Sequence, residues 1–187
     1  MARIPPLNAE DAKPKSRELL AEQIAGHGRA TNMKRTLAHS PPALFALMRW
    51  YDLHAEVIAF LGKRATTLFA FAISSQTDCL ICSTFFRRWL IESGEDPDDL
   101  QLDERERALV EYGRRLARDA NAIPDDVFDA AARGLTSEQT VALTAFGALM
   151  VATNLFNNAL KVDLDEYLFP FRGVKGELAL APKREAK

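Results

Sequence analysis

An all-α fold is what this sequence predicts, on three observations. Apolar residues recur at three- and four-residue steps along almost the whole chain, the spacing of one helix face. Helix-start and helix-stop residues punctuate those stretches. No stretch alternates with period two over a strand length, and no hairpin dipeptide such as Asn-Gly occurs. Gly and Pro number nine each in 187 residues, too few for a turn-rich β protein. That length suits one domain over 1–187, able to bury roughly 70% of its unfolded surface without disulfides or metals.

Each element has its own justification. Ser40 is an N-cap residue and Pro41 suits the first helical position. Leu44, Leu47, Met48, Tyr51, Ala55 and Ile58 then form one continuous stripe, with Gly62 as a stop. The next helix is expected over 64–75. Its run Leu68-Phe-Ala-Phe-Ala-Ile73 is short enough for a buried strand, but its alanines and helical neighbours favour helix. Another is expected over 79–93, N-capped by Thr77 or Asp78 and ended by Gly94. Asp103 with Glu106 makes a capping box for a helix to about Asp119. Pro124 opens a short helix that stops near Gly134. Thr136 with Gln139 makes a second capping box for a long helix to about Leu160. That helix is apolar on most faces, so it belongs in the core or at a subunit interface. The tail 172–187 reads as loosely ordered.

Composition narrows the function classes. The net charge is -2, without the basic stripe of a nucleic-acid binder. Residues 1–50 carry a net +4 and residues 95–130 a net -7, an asymmetry most simply read as solvated helix faces. No apolar leader segment opens the sequence. The stretch Val141–Ala152 is too short and too polar for a membrane span. A cytoplasmic setting is therefore expected, with no nucleic-acid or membrane partner.

The sharp chemical feature is Cys79-Leu-Ile-Cys82, which holds both cysteines of the chain. Two cysteines exclude a disulfide scaffold and cannot complete a zinc site, and His27, His39 and His54 show no ligand spacing with them. No metal or organic cofactor is implied. At a helix start, the spacing brings both sulfurs to one face. Free N–H groups there favour a thiolate. A sulfenic acid formed on one sulfur would find a resolving thiol beside it. Asp78 opposes ionisation of Cys79, which makes Cys82 the easier thiolate. The plainer reading is two small core residues.

The segment Leu68–Cys82, an apolar helix, a polar turn and Cys-x-x-Cys, resembles the core of the carboxymuconolactone decarboxylase and alkylhydroperoxidase AhpD-like family. Lys34–Leu44, with its His-Ser-Pro stretch, is similar to the segment before that family's second helix. Leu135–Val141 and Ala152–Asn157 are similar to its C-terminal helix. The resemblance spans roughly 15–165. It implies a helical homo-oligomer and a thiol-dependent peroxidase in which Cys82 forms the sulfenic acid and Cys79 closes the disulfide. It also implies a peroxide or other small-molecule substrate, and a dithiol reductant of lipoyl or thioredoxin type. The sequence departs from the family at its proton relay: Thr67 stands where the family has glutamate, and Phe86 where it has histidine.

His54, Glu56 and Asp78 are the nearest titratable residues in sequence, and His54 reads as a partly exposed helix position. Phe86 is expected to make the pocket apolar. Asn154, Asn157 and Asn158 share one helix face; they could line a polar pocket, and the plainer reading is a helix cap or a subunit interface. Trp50, Tyr51 and Trp89 read as core and interface. Arg87-Arg88 reads as a solvated face able to pair with the acidic segment. Two other functions stay open: a non-redox lactone decarboxylase-like enzyme, which would need a carboxylate-binding cation, and a non-catalytic or redox-sensing helical oligomer.

Overall fold

The computed structural model describes residues 1–173. It is all-α: 71% is helical, with no strand among the described residues. Among the described residues, nine α-helices follow in order: α1 Pro14–His27, α2 Asn32–Leu37, α3 Pro41–Met48, α4 Trp50–Leu61, α5 Lys63–Gln76, α6 Leu80–Glu92, α7 Glu104–Arg118, α8 Asp125–Ala132 and α9 Ser137–Leu160. Short 3-10 helices cover Ala120–Ala122 and Glu166–Phe171.

Both expected capping boxes form. Asp103 Oδ1 accepts the Glu106 N–H at 2.8 Å while the Glu106 carboxylate accepts the Asp103 N–H at 3.0 Å. Thr136 and Gln139 make the same reciprocal pair. Gly62 ends α4 with φ +82°, a conformation open to glycine. The single stripe expected across 41–61 is two helices, because the Arg49 carbonyl accepts from both Asp52 and Leu53 N–H and tightens the chain there. Of the tail expected to be loosely ordered, only Arg172 and Gly173 fall within the described residues.

α5 is the centre. Thr66 to Ser74 are all buried, and α6, α7, α9 and α4 pack round them. Its hydroxyls are satisfied within the helix: Thr66, Thr67 and Ser74 each donate to the carbonyl four residues earlier at 2.8 Å. Phe69 is fully buried where α7 and α9 cross α5. Glycines make that crossing close. A Cβ at Gly113 would meet Phe69 Cδ2 at 3.0 Å, and one at Gly147 would meet Leu116 Cδ2 at 2.5 Å. A smaller cluster of Leu20, Leu37, Ala38 and Leu44 ties α1, α2 and α3 together.

By length and apolar character alone, α9 would suffice to cross a membrane. Here it is a core helix, with Leu143, Phe146, Met150 and Asn154 buried against α4, α5 and α7. Arg87 pairs through both guanidinium nitrogens with Asp98 of the acidic segment, as its charge suggested, although its side chain is only 15% exposed.

Candidate functional site

The site is built where α5 stops and α6 starts. Thr77 closes α5, and Asp78 takes the left-handed conformation, φ +53°. Among non-glycine residues, Asp and Asn reach that region most readily. The reversal sends the Cys79 N–H back to the Ser74 carbonyl at 3.0 Å. It also makes Cys79 itself the N-cap of α6, with its sulfur accepting the Cys82 N–H at 3.4 Å. The expected cap at Thr77 or Asp78 is thus displaced by one or two residues. The cause is a turn conformation that leaves no mark in hydrophobic spacing.

Cys79 and Cys82 are free thiols, 0% and 6% exposed, and meet at 2.8 Å. α9 lays its asparagines against them. The Asn157 amide lies 3.3 Å from Cys82 Sγ and 3.8 Å from Cys79 Sγ. Asn158 donates to the Thr77 carbonyl at 2.7 Å, and Asn154 to Thr77 Oγ1 at 2.9 Å. Within the chain these side-chain amides reach across to the start of α6 and do not cap α9. Two of them brace the turn that carries the cysteines, and the third donates to both sulfurs. Their i, i+3, i+4 spacing on one helix face was the signal available in the sequence.

The electrostatics reverse the expectation drawn from Asp78. Burial alone would push the Cys79 thiol up. The Cys82 thiol, the Cys82 N–H, the Asn157 amide and the Ile81 N–H outweigh it and hold Cys79 below its ordinary value. Cys82 is pushed well up, by burial first and then by its neighbour Cys79. The N-cap sulfur collects the donors, so Cys79 and not Cys82 is the easier thiolate.

The two sulfurs face different spaces. Cys79 lines a polar groove with Asp78, Asn157, Asn158 and Lys161. Lys161 also has positive φ, +50°, so the only two non-glycine residues of that kind among the described residues flank this groove. Cys82 lines an apolar cavity of about 90 Å³ walled by Trp50, Tyr51, Phe85, Phe86 and Met150. That is several times the roughly 10–15 Å³ that one ordered water needs. Phe86 makes the wall apolar, as expected. Tyr51 belongs to this wall and not only to the core. Lys34, Thr31, Asp165 and Tyr167 line the same cavity. Met33, beside Lys34 on α2, reaches the cysteines through Asn157, whose amide lies 3.4 Å from its sulfur.

The sequence-nearest titratable residues do not join the pair. His54 stacks on Trp50 at 4.4 Å and packs near Trp89 and Phe146. Its Nε2 is buried without a partner, and burial, then the charge of Lys63, pushes it down to about 4. Glu56 lies on a separate surface groove with Leu53 and Val141. Asp78 is exposed on the Cys79 side. Thr67 is tied to the Lys63 carbonyl. Among the described residues, no group of three or more His, Cys, Asp and Glu side chains could hold a metal ion.

No family model matches the sequence, and no curated protein matches it. Solved structures do. A peroxidase-related protein with an alkylhydroperoxidase AhpD core, from Ralstonia eutropha, is 19% identical with a TM-score of 0.73, covering 90% of this chain and 94% of its own. The debrominase Bmp8, in its apo form, is 18% identical with a TM-score of 0.70, covering 90% and 95%. A peroxidase-related protein from Silicibacter is 17% identical with a TM-score of 0.67, covering 89% and 94%. At these identities the likeness is one of fold, and the fold is the AhpD-like helical one.

Proposed function

We propose that this protein is a thiol-dependent oxidoreductase of the AhpD-like type that reduces a hydroperoxide with the Cys79–Cys82 pair. One observation carries the reading: two touching thiols share the Asn157 amide, and one of them opens on an apolar cavity. Cys79 is the more acidic of the two thiols, and as the thiolate it accepts the Cys82 S–H. Passing that proton to Cys79 makes Cys82 the nucleophile on the cavity side, the role that the family resemblance gives it. The Cys82 thiolate attacks the outer peroxide oxygen and the O–O bond breaks. The alkoxide takes the proton from the Cys79 thiol and leaves as the alcohol. Cys79, again a thiolate, attacks the Cys82 sulfenic acid; the S–OH bond breaks, and the departing hydroxide takes a proton from solvent and leaves as water while the disulfide forms. Counting that proton, the sum is dithiol plus ROOH giving disulfide, ROH and water. Cys79 thus supplies the base that Thr67 and Phe86 cannot.

A dithiol protein of lipoyl or thioredoxin type reopens the disulfide from the groove beside Cys79. A reducing cytoplasm is the setting this cycle needs. Val141 and Leu155, 68% and 57% exposed on α9, support self-association into a homo-oligomer.

The test mixes reduced protein with one equivalent of cumene hydroperoxide, quenches with an alkylating agent over time, and reads masses. The expected result is fast loss of two hydrogens as a Cys79–Cys82 disulfide, with Cys82→Ser forming no disulfide and Cys79→Ser, which lacks the base, oxidised much more slowly and only as far as the sulfenic acid. Thiols that react no faster than free cysteine overturn the reading.

A further inference from the structure

We propose that the cavity takes a small aromatic carboxylate, its ring against Trp50, Phe85 and Phe86 and its carboxylate on the ammonium of Lys34. This rests on reading the cavity as the substrate site of the cysteine pair, but the binding itself requires neither thiol.

Lys34 is a buried cation with too few partners. Lys34 is 2% exposed on α2 and lines the cavity. Its ammonium has one long hydrogen bond, 3.5 Å to the Arg29 carbonyl, and lies 5.0 Å from the Tyr51 ring centre. An ammonium carries three donors. Among the described residues no carboxylate lies within ion-pair distance of it, and neither sulfur is within hydrogen-bond reach. A buried charge without a partner is costly, and a methionine of similar length would pack there without that cost. Burial pushes Lys34 down to about 8, so it remains charged at neutral pH.

The walls exclude most alternatives for what satisfies it. They are aromatic and apolar, so a hydrophilic anion such as free phosphate would lose its hydration for a single cation. A ring fits the walls, and one carboxylate fits the lysine. Asp165, which lines the same cavity, holds the Asn32 N–H at 2.8 Å through one oxygen and leaves Oδ2 buried and unpartnered. It discriminates against a second anionic group and accepts a donor such as a ring hydroxyl. The lining therefore offers one place for negative charge, in the cavity that also holds the thiol that would do the chemistry.

The test uses benzoate and benzamide, which share a ring and differ in charge. Each is titrated by calorimetry into reduced parent protein, Lys34→Met, Lys34→Arg and the double variant Cys79→Ser/Cys82→Ser. The parent and the cysteine double variant are expected to bind benzoate roughly tenfold or more tighter than benzamide, the scale of a desolvated charge-assisted contact. Lys34→Met is expected to lose that preference while keeping benzamide binding, which also shows that the cavity survives. Lys34→Arg is expected to keep the preference. Equal affinities in the parent, no benzoate binding, or a preference that persists in Lys34→Met would overturn the assignment. Failure of the redox reading is separable, because inert thiols would leave the benzoate preference intact.

Discussion

Replacing Asn157 with leucine asks how much of the thiol chemistry one neutral amide supports. Its Nδ2 lies 3.3 Å from one sulfur and 3.8 Å from the other, and it favours the charged form of both. A hydrogen bond to a charged group is worth about 1.5–3 kcal/mol in good geometry. These N···S contacts are long, so roughly half the lower value to its full size, about 0.7–1.5 kcal/mol, is a fair allowance. Asn157→Leu should therefore raise the Cys79 thiol, and at about 1.4 kcal/mol per tenfold the thiolate fraction and the alkylation rate below the midpoint should fall about three- to tenfold. Stability should change little, within about 1 kcal/mol, because the substitution also removes the Asn157 Oδ1, which is buried without a partner. The assay is the rate of iodoacetamide alkylation against pH, with the modified residue read by mass spectrometry. An unchanged titration midpoint in a folded variant would refute the idea that this amide sets the charge of the pair.

Three further outcomes follow from the same geometry. His54 sits near 4 in the folded protein against about 6.5 unfolded, so the unfolded chain binds its proton first and stability is lost as pH falls from about 6.5 to 4; thermal melts should show a smaller acid loss in His54→Phe. Lys34 sits near 8 against about 10.5 unfolded, so the unfolded chain binds more protons in that window and stability should rise as pH climbs from 8 to 10.5. Lys34→Met should remove that rise and melt higher than the parent at pH 7, whereas a lower melting point would deny the cost assigned to the buried ammonium. Gly147→Ala places a Cβ 2.5 Å from Leu116 Cδ2 and 2.9 Å from Phe69 Cζ, so urea unfolding should register roughly 1–3 kcal/mol of overpacking.

Local signals made the helices of the second half legible, since a capping box is written within four residues and forms within those four. α1 and α2 carry weaker signals. α1 has Pro14 at its start and Gly28 at its end but no side-chain cap, and α2 is capped by Thr31 but is only six residues long and held by its packing. The cysteine pair was visible because its spacing is local. The start of α6 was misplaced because a left-handed Asp78 is a backbone event with no compositional trace. Asn157 and Lys34 escaped for a third reason. Their meaning lies in residues about 75 and 130 positions away, joined only when α9 crosses the start of α6 and the 3-10 turn at Glu166–Phe171 closes beside α2.

The two relay positions, Thr67 and Phe86, fit this arrangement as parts of one design. A carboxylate at position 67 would be buried in the middle of α5, where the threonine instead satisfies itself on the Lys63 carbonyl. An imidazole at position 86 would stand in a wall made of Trp50, Phe85 and Trp89. An apolar wall raises the cost of charge on Cys82 and leaves Cys79, at the N-cap, as the more acidic of the two thiols. A proton held between two sulfurs needs no third carrier to reach the nucleophile. It does need the nucleophile to be charged only when substrate has displaced water from the cavity. In that order of events, a ligand anchored at Lys34 and spread over Phe86 would both exclude water and present its reacting group to Cys82. The missing relay and the buried lysine would then be two consequences of the same apolar cavity.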